Sequence, residues 1–157
     1  MRLPLHCLVC TVLINLFVMA MPHPLHAQLP HDLTWKNRVA IVFDTAATYY
    51  ATKQLELFTK VQAECDERDL VVFQVLGDTI IGPGGTITDA QKADALRQQY
   101  ADGYGLKGIM LVLVGKDGGV KLRLRRVVGI QEIFATIDRM PMRRQEMKQK
   151  KNSPPPK

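Results

Sequence analysis

The chain has 157 residues, enough for one domain and short appendages. Its formal net charge of +6 is unevenly placed: residues 28–119 hold nine Lys/Arg and twelve Asp/Glu, while residues 120–157 hold eleven and three. The basic end is a candidate surface for anions, but no aromatic stacking pattern accompanies the charges, so nucleic acid is not an expected partner.

The N-terminal segment has the pattern of a secretory signal peptide. Arg2 supplies a positive start, Leu3 to Ala20 is almost wholly apolar, and Met21-Pro22-His23-Pro24-Leu25-His26-Ala27 breaks a helix and ends in a small residue. Cleavage after Ala27 makes residues 1–27 the signal, 28–148 the domain and 149–157, with Pro154-Pro155-Pro156, a disordered basic tail. The expected location is then secreted or periplasmic. The alternative is a retained anchor, since about 18 apolar residues just span a bilayer; only in that case is a membrane contact expected. Cleavage removes Cys7, Cys10, His6, His23 and His26, leaving Cys65 and His31. One cysteine forms no intrachain disulfide, and one cysteine with one histidine makes no usual zinc or haem site. No loop has the alternating Asp/Asn pattern of a calcium site, so no cofactor and no metal are expected.

Along the domain, Trp35-Lys36-Asn37-Arg38 leads into Val39–Phe43, an apolar run of strand length covered on both faces. Ala51, Leu55, Phe58, Val61, Gln62 and Cys65 share one side of a following helix. Leu70–Leu76 is a second buried strand. The loop from Gly77 to Ile87 carries a turn signal at Gly82-Pro83-Gly84-Gly85. Thr88-Asp89-Ala90-Gln91 reads as a capping box with Thr88 as N-cap, opening a helix that holds Leu96 and Tyr100 and stops at Gly103 and Gly105. Ile109–Val114 is a third strand, Lys116-Asp117-Gly118-Gly119 a hairpin turn, and Val120–Arg125 an alternating strand with one basic face. Ile130, Ile133, Phe134 and Ile137 mark an amphipathic helix that Pro141 ends or bends.

The order is βαβαββα, which implies an α/β domain with a mixed four-stranded sheet flanked by helices. It is the order of the thioredoxin-like fold, and Gly105–Val120 resembles the thioredoxin third strand and hairpin. Four further motifs, Trp35–Arg38, Glu67–Val72, Gly115–Lys121 and Met140–Met147, resemble an uncharacterised family of secreted bacterial domains, domain of unknown function 4174. That family is related to peroxiredoxin-like domains in animal sushi-repeat and matrix proteins. The narrower family carries no assigned chemistry, but the resemblance to thioredoxins and peroxiredoxins implies a reactive cysteine at the first strand–helix junction. Laid on Cys-x-x-Cys or Thr-x-x-Cys, however, Thr48 and Ala51 occupy the motif, and Met110 stands where a cis-proline is expected. Both departures argue against thiol chemistry, which needs a stabilised thiolate.

The candidate site residues follow. Thr45, Thr48, Tyr49, Tyr50, Ala51 and Met110 form the vestigial site. It offers either a ligand site at a helix N-terminus or simply a cap with packed tyrosines. Lys121, Arg123 and Arg125 hold an anionic partner or form a solvated edge. Met140–Lys148 is either a partner-binding segment or packing against the sheet. Cys65 is a structural core cysteine or, in the enzymatic alternative, a lone redox thiol. The leading expectation is a redox-inactive binding module for a protein or an anionic envelope component.

Overall fold

The computed structural model describes residues 33–102 and 108–152. Its strands are β1 (Arg38–Asp44), β2 (Leu70–Leu76), β3 (Thr79–Gly82), β4 (Gly85–Thr88), β5 (Met110–Val114) and β6 (Val120–Leu124). Its helices are α1 (Tyr49–Thr59), α2 (Gln62–Glu67), α3 (Ala90–Tyr100), α4 (Ile130–Asp138) and α5 (Pro141–Asn152). The six strands form one sheet in the order β4-β3-β2-β1-β5-β6.

β1 lies at the centre, parallel to β2 and antiparallel to β5. All seven of its residues are buried, because helices cover both faces of the sheet. Alternate side chains serve opposite layers. Val39, Ile41 and Phe43 join Val75, Met110, Val112, Leu96 and Tyr100 on the α3 side. Ala40 and Val42 join Leu111, Leu113, Phe58, Ile133 and Ile137 on the side of α1, α2 and α4. The apolar runs of β1 and β5 are therefore two half-cores threaded on the same strands.

The expected four strands are present as β1, β2, β5 and β6, but the sheet has six. Residues 77–87 are not a loop: Thr79–Gly82 and Gly85–Thr88 pair as a hairpin around Pro83-Gly84 and extend the sheet past β2. Gly85 takes φ +109° to close it, a conformation that favours glycine. Gly82 faces the Phe73 ring so closely that a Cβ there would stand 2.3 Å from a ring carbon.

Three helix boundaries also differ from expectation. The N-cap of α3 is Asp89, whose carboxylate accepts from Lys92 N–H at 3.0 Å, because Thr88 is engaged as the last residue of β4. The helix after β1 breaks at Lys60–Val61 into α1 and α2. Pro141 stops the preceding helix as expected and starts α5 at a position that needs no N–H donor. α5 runs through Asn152, so residues 149–152 of the expected disordered tail are helical. At Lys116–Gly119 the hairpin turn forms as expected, with Gly118 at φ +75°. The signal segment, His31, Gly103 and Gly105 lie outside the described residues.

Candidate functional site

The junction after β1 is held by Asp44, which is fully buried at the carboxyl end of the strand. Its Oδ1 accepts from Thr45 N–H at 2.8 Å, and its Oδ2 accepts from the Thr48 hydroxyl. Thr48 is the N-cap of α1, and its hydroxyl oxygen accepts from Ala51 N–H at 3.3 Å. A carboxylate and a hydroxyl of the chain itself thus stand at the helix N-terminus, where an external anion would otherwise be attracted. Ala51 is buried. Tyr49 and Tyr50 do not pack on the core; they are exposed, with their rings edge to face at 5.6 Å. Met110 pairs in register with Phe43 and faces the α3 layer, whereas Ala51 lies in the opposite layer with Ile109 and Leu111. The sheet therefore separates Met110 from Thr48 and Ala51.

Beside this junction an apolar cleft of about 500 Å³ opens between α1 and the β2–β3 edge, walled by Ala51, Thr52, Leu55, Gln74, Leu76 and Ile81. Gln54, one turn into α1, is fully buried. Its amide donates to Val128 O at 3.1 Å and accepts from Val128 N–H at 2.7 Å, tying α1 to the segment before α4.

Cys65 is buried in α2. Burial, then the neighbouring Asp66 and Glu64 charges, push its thiol up to about 11, with Arg68 pulling weakly the other way. At neutral pH it is a neutral thiol, the opposite of what nucleophilic sulfur chemistry needs.

The basic strand β6 is partly self-satisfied. Lys121 pairs with Asp117 at 2.7 Å, while Arg123 reaches Asp102 at 3.0 Å and donates to Tyr100 O at 2.7 Å. Arg125 is exposed and makes no ion pair among the described residues. In Met140–Lys148, Met140 packs against the α1/α4 layer and Met147 is exposed.

A cluster at the opposite end of the sheet was not foreseen. Arg38, at the first position of β1, is fully buried; its guanidinium donates to Glu146 at 3.0 and 3.1 Å and to Arg68 O at 2.7 Å. Glu146 also receives Lys116 at 2.8 Å, and Lys116 holds Asp69 at 2.7 Å. Arg143 reaches Glu67 and Asp138, both at 3.2 Å, and Arg68 reaches Asp138 at 2.8 Å while stacking 4.2 Å above the Phe134 ring. Burial opposes ionisation of Glu146 and Asp138, yet their hydrogen bonds to Arg38 with Lys116, and to Arg68 with Arg143, hold both below the usual carboxylate range. Glu67 is lowered mainly by its bond from Arg143 and next by Lys150. Every motif of the family resemblance contributes a charge here: Arg38, Glu67 to Asp69, Lys116, and Arg143 with Glu146. The charges lie within those motifs, but no spacing within any one motif marks a buried ion pair. Among the described residues no group of three His, Cys, Asp or Glu could hold a metal ion.

The central β1–β2 parallel pair, the β5–β6 hairpin and the flanking helices define a thioredoxin-like domain. Two solved structures share the fold. Thioredoxin peroxidase I of Plasmodium yoelii is 18 % identical, with TM-score 0.50, covering 80 % of this chain and 83 % of that one. The reduced 2-Cys peroxiredoxin of Plasmodium vivax is 17 % identical, with TM-score 0.50, covering 75 % and 84 %. The chain belongs to the family described as Domain of unknown function (DUF4174), which matches residues 29–146. No curated protein sequence matches it.

Proposed function

We propose that this is an exported thioredoxin-like domain that works by binding a partner and not by thiol chemistry. The observation that supports the reading is the β1–α1 junction: Ala51, which the motif resemblance sets at the thiolate position, is buried, and Asp44 and Thr48 fill the anion-attracting end of the helix. The partner is a protein or an anionic component of the cell envelope. A lone redox centre at Cys65 is the competing reading, and the burial and raised pKa of that thiol weigh against it.

The test is the rate of Cys65 labelling by a thiol reagent, native against urea-unfolded, between pH 5 and 9. The domain reading expects protection until unfolding and no peroxide turnover. Fast native labelling with a depressed pKa would replace it by the redox reading. N-terminal sequencing of the exported protein tests the export step, with a start at Gln28 expected and an intact Met1 contradicting cleavage.

A further inference from the structure

The cations of α5 divide into two sets. Arg143 and Lys150 lie on the docking face and pair with Glu67 and Asp138, beside Glu146, which holds Arg38 and Lys116. Arg144, Lys148 and Lys151 stand four and three residues apart, a line along another side of the helix. All three are exposed, and none makes an ion pair among the described residues. Arg139, just before α5, is exposed and unpaired in the same sense. Glu146 is the only acid of α5, and it is turned inward. The outer line is thus free of any carboxylate on its own helix. Its apolar neighbour Met147 is 37 % exposed, and Pro141, Arg144, Gln145 and Lys148 line a shallow depression along it.

We propose that this outer line of α5 docks on the surface of a lipid bilayer bearing anionic headgroups, with a headgroup phosphate in the depression between Arg144 and Lys148. The proposal deepens the binding reading above and rests on it. Two observations favour a bilayer over a soluble acidic partner. The cations lie along one helix and so present themselves to a plane. The exposed Met147 stands beside them, suited to the acyl boundary. The basic strand β6, the first candidate for an anionic partner, is less available because Lys121 and Arg123 are already paired.

The experiment is co-sedimentation of the full-length protein with large unilamellar vesicles, either phosphatidylcholine alone or phosphatidylcholine with phosphatidylglycerol, at low and high salt. The comparison between the two vesicle types removes any charge-independent insertion of residues 3–20. Each cation held against an anionic leaflet is worth about a fivefold gain in binding. The triple variant Arg144→Glu, Lys148→Glu, Lys151→Glu should therefore bind anionic vesicles about 100-fold more weakly, with its thermal unfolding preserved because the docking face is untouched. A second variant, Lys60→Glu with Lys92→Glu, which reverses two exposed cations outside α5 and β6, should bind like the parent. Equal binding of the parent to both vesicle types overturns the proposal, as does a folded triple variant that binds as well as the parent. Full competition by soluble polyglutamate would point to an acidic protein and overturn it too. Cys65 labelling decides the non-thiol reading separately, so failure of either is recognisable on its own.

Discussion

Replacing Glu146 by alanine removes the carboxylate that faces Arg38 from 3.0 and 3.1 Å, while Arg38 itself stays fully buried at the start of the central strand. One bond, to Arg68 O at 2.7 Å, remains. Removing one partner of a buried pair costs about 3–5 kcal/mol because the other charge is left uncompensated. Glu146 keeps 27 % side-chain exposure, so water reaches the pair and the lower end applies, about 3 kcal/mol. For a domain of this size that corresponds to a fall in Tm of roughly 12 °C. Arg38→Met should cost less, under about 2 kcal/mol, because it removes the buried charge itself and leaves Glu146 its contacts with Lys116 and Arg143. The measurement is urea unfolding followed by circular dichroism on the parent and both variants. A cost for Glu146→Ala below about 1 kcal/mol, or a larger cost for Arg38→Met, would refute the claim that this pair holds α5 to the sheet.

The same cluster sets the acid limit. Glu146, Asp138 and Glu67 have folded pKa values below their unfolded ones, so their stabilisation is complete above the unfolded values and is lost as pH falls through the folded ones. The urea midpoint should begin to drop below about pH 5, and a midpoint flat down to pH 3 would contradict the network. At the alkaline end Cys65 behaves oppositely: its stabilisation is lost as pH rises from 9.0 toward about 11, and Cys65→Ala should flatten that limb of the midpoint curve. Thr48→Ala removes both the cap on Ala51 N–H and a partner of buried Asp44, and should cost about 1–2 kcal/mol by urea unfolding. Thr48→Ser should restore most of it, and equal losses for the two would rule out the hydroxyl as the cause. Gly82→Ala should cost about 1–3 kcal/mol, since its Cβ meets the Phe73 ring; an unchanged melting temperature would mean that the ring moves freely.

The sequence carried the centre of the fold plainly. β1 and β5 are continuous apolar runs, and Ile130, Ile133, Phe134 and Ile137 place α4 by spacing alone. The β3–β4 hairpin was hidden because its strands are four residues each, and β4 is exposed along its whole length, so neither shows a long alternating pattern. At the start of α3, Thr88 and Asp89 are both good caps, and only the pairing of Thr88 with Thr79 decides between them. The split between α1 and α2 changes the face of that segment: Gln62, expected on the apolar side, is exposed and donates to Asp66 at 2.8 Å, and Leu55 faces the open cleft, while Ala51, Phe58 and Cys65 stay buried. The vestigial junction was legible as a strand–helix boundary without a cysteine, but the role of Asp44 was not, since a lone acid after a strand looks like any turn residue. The charge cluster escaped for a different reason. Its members come from segments far apart in the chain, and no periodicity links residues that meet only after folding.

The bond between Arg38 and Glu146 spans 108 residues and joins β1 to α5. During synthesis the central strand emerges well before its counter-charge. A chain halted before α5 can align β1 with β2 and β5, yet leaves the Arg38 cation without its carboxylate. The order of synthesis thus delays the electrostatic locking of the central strand until α5 has been made.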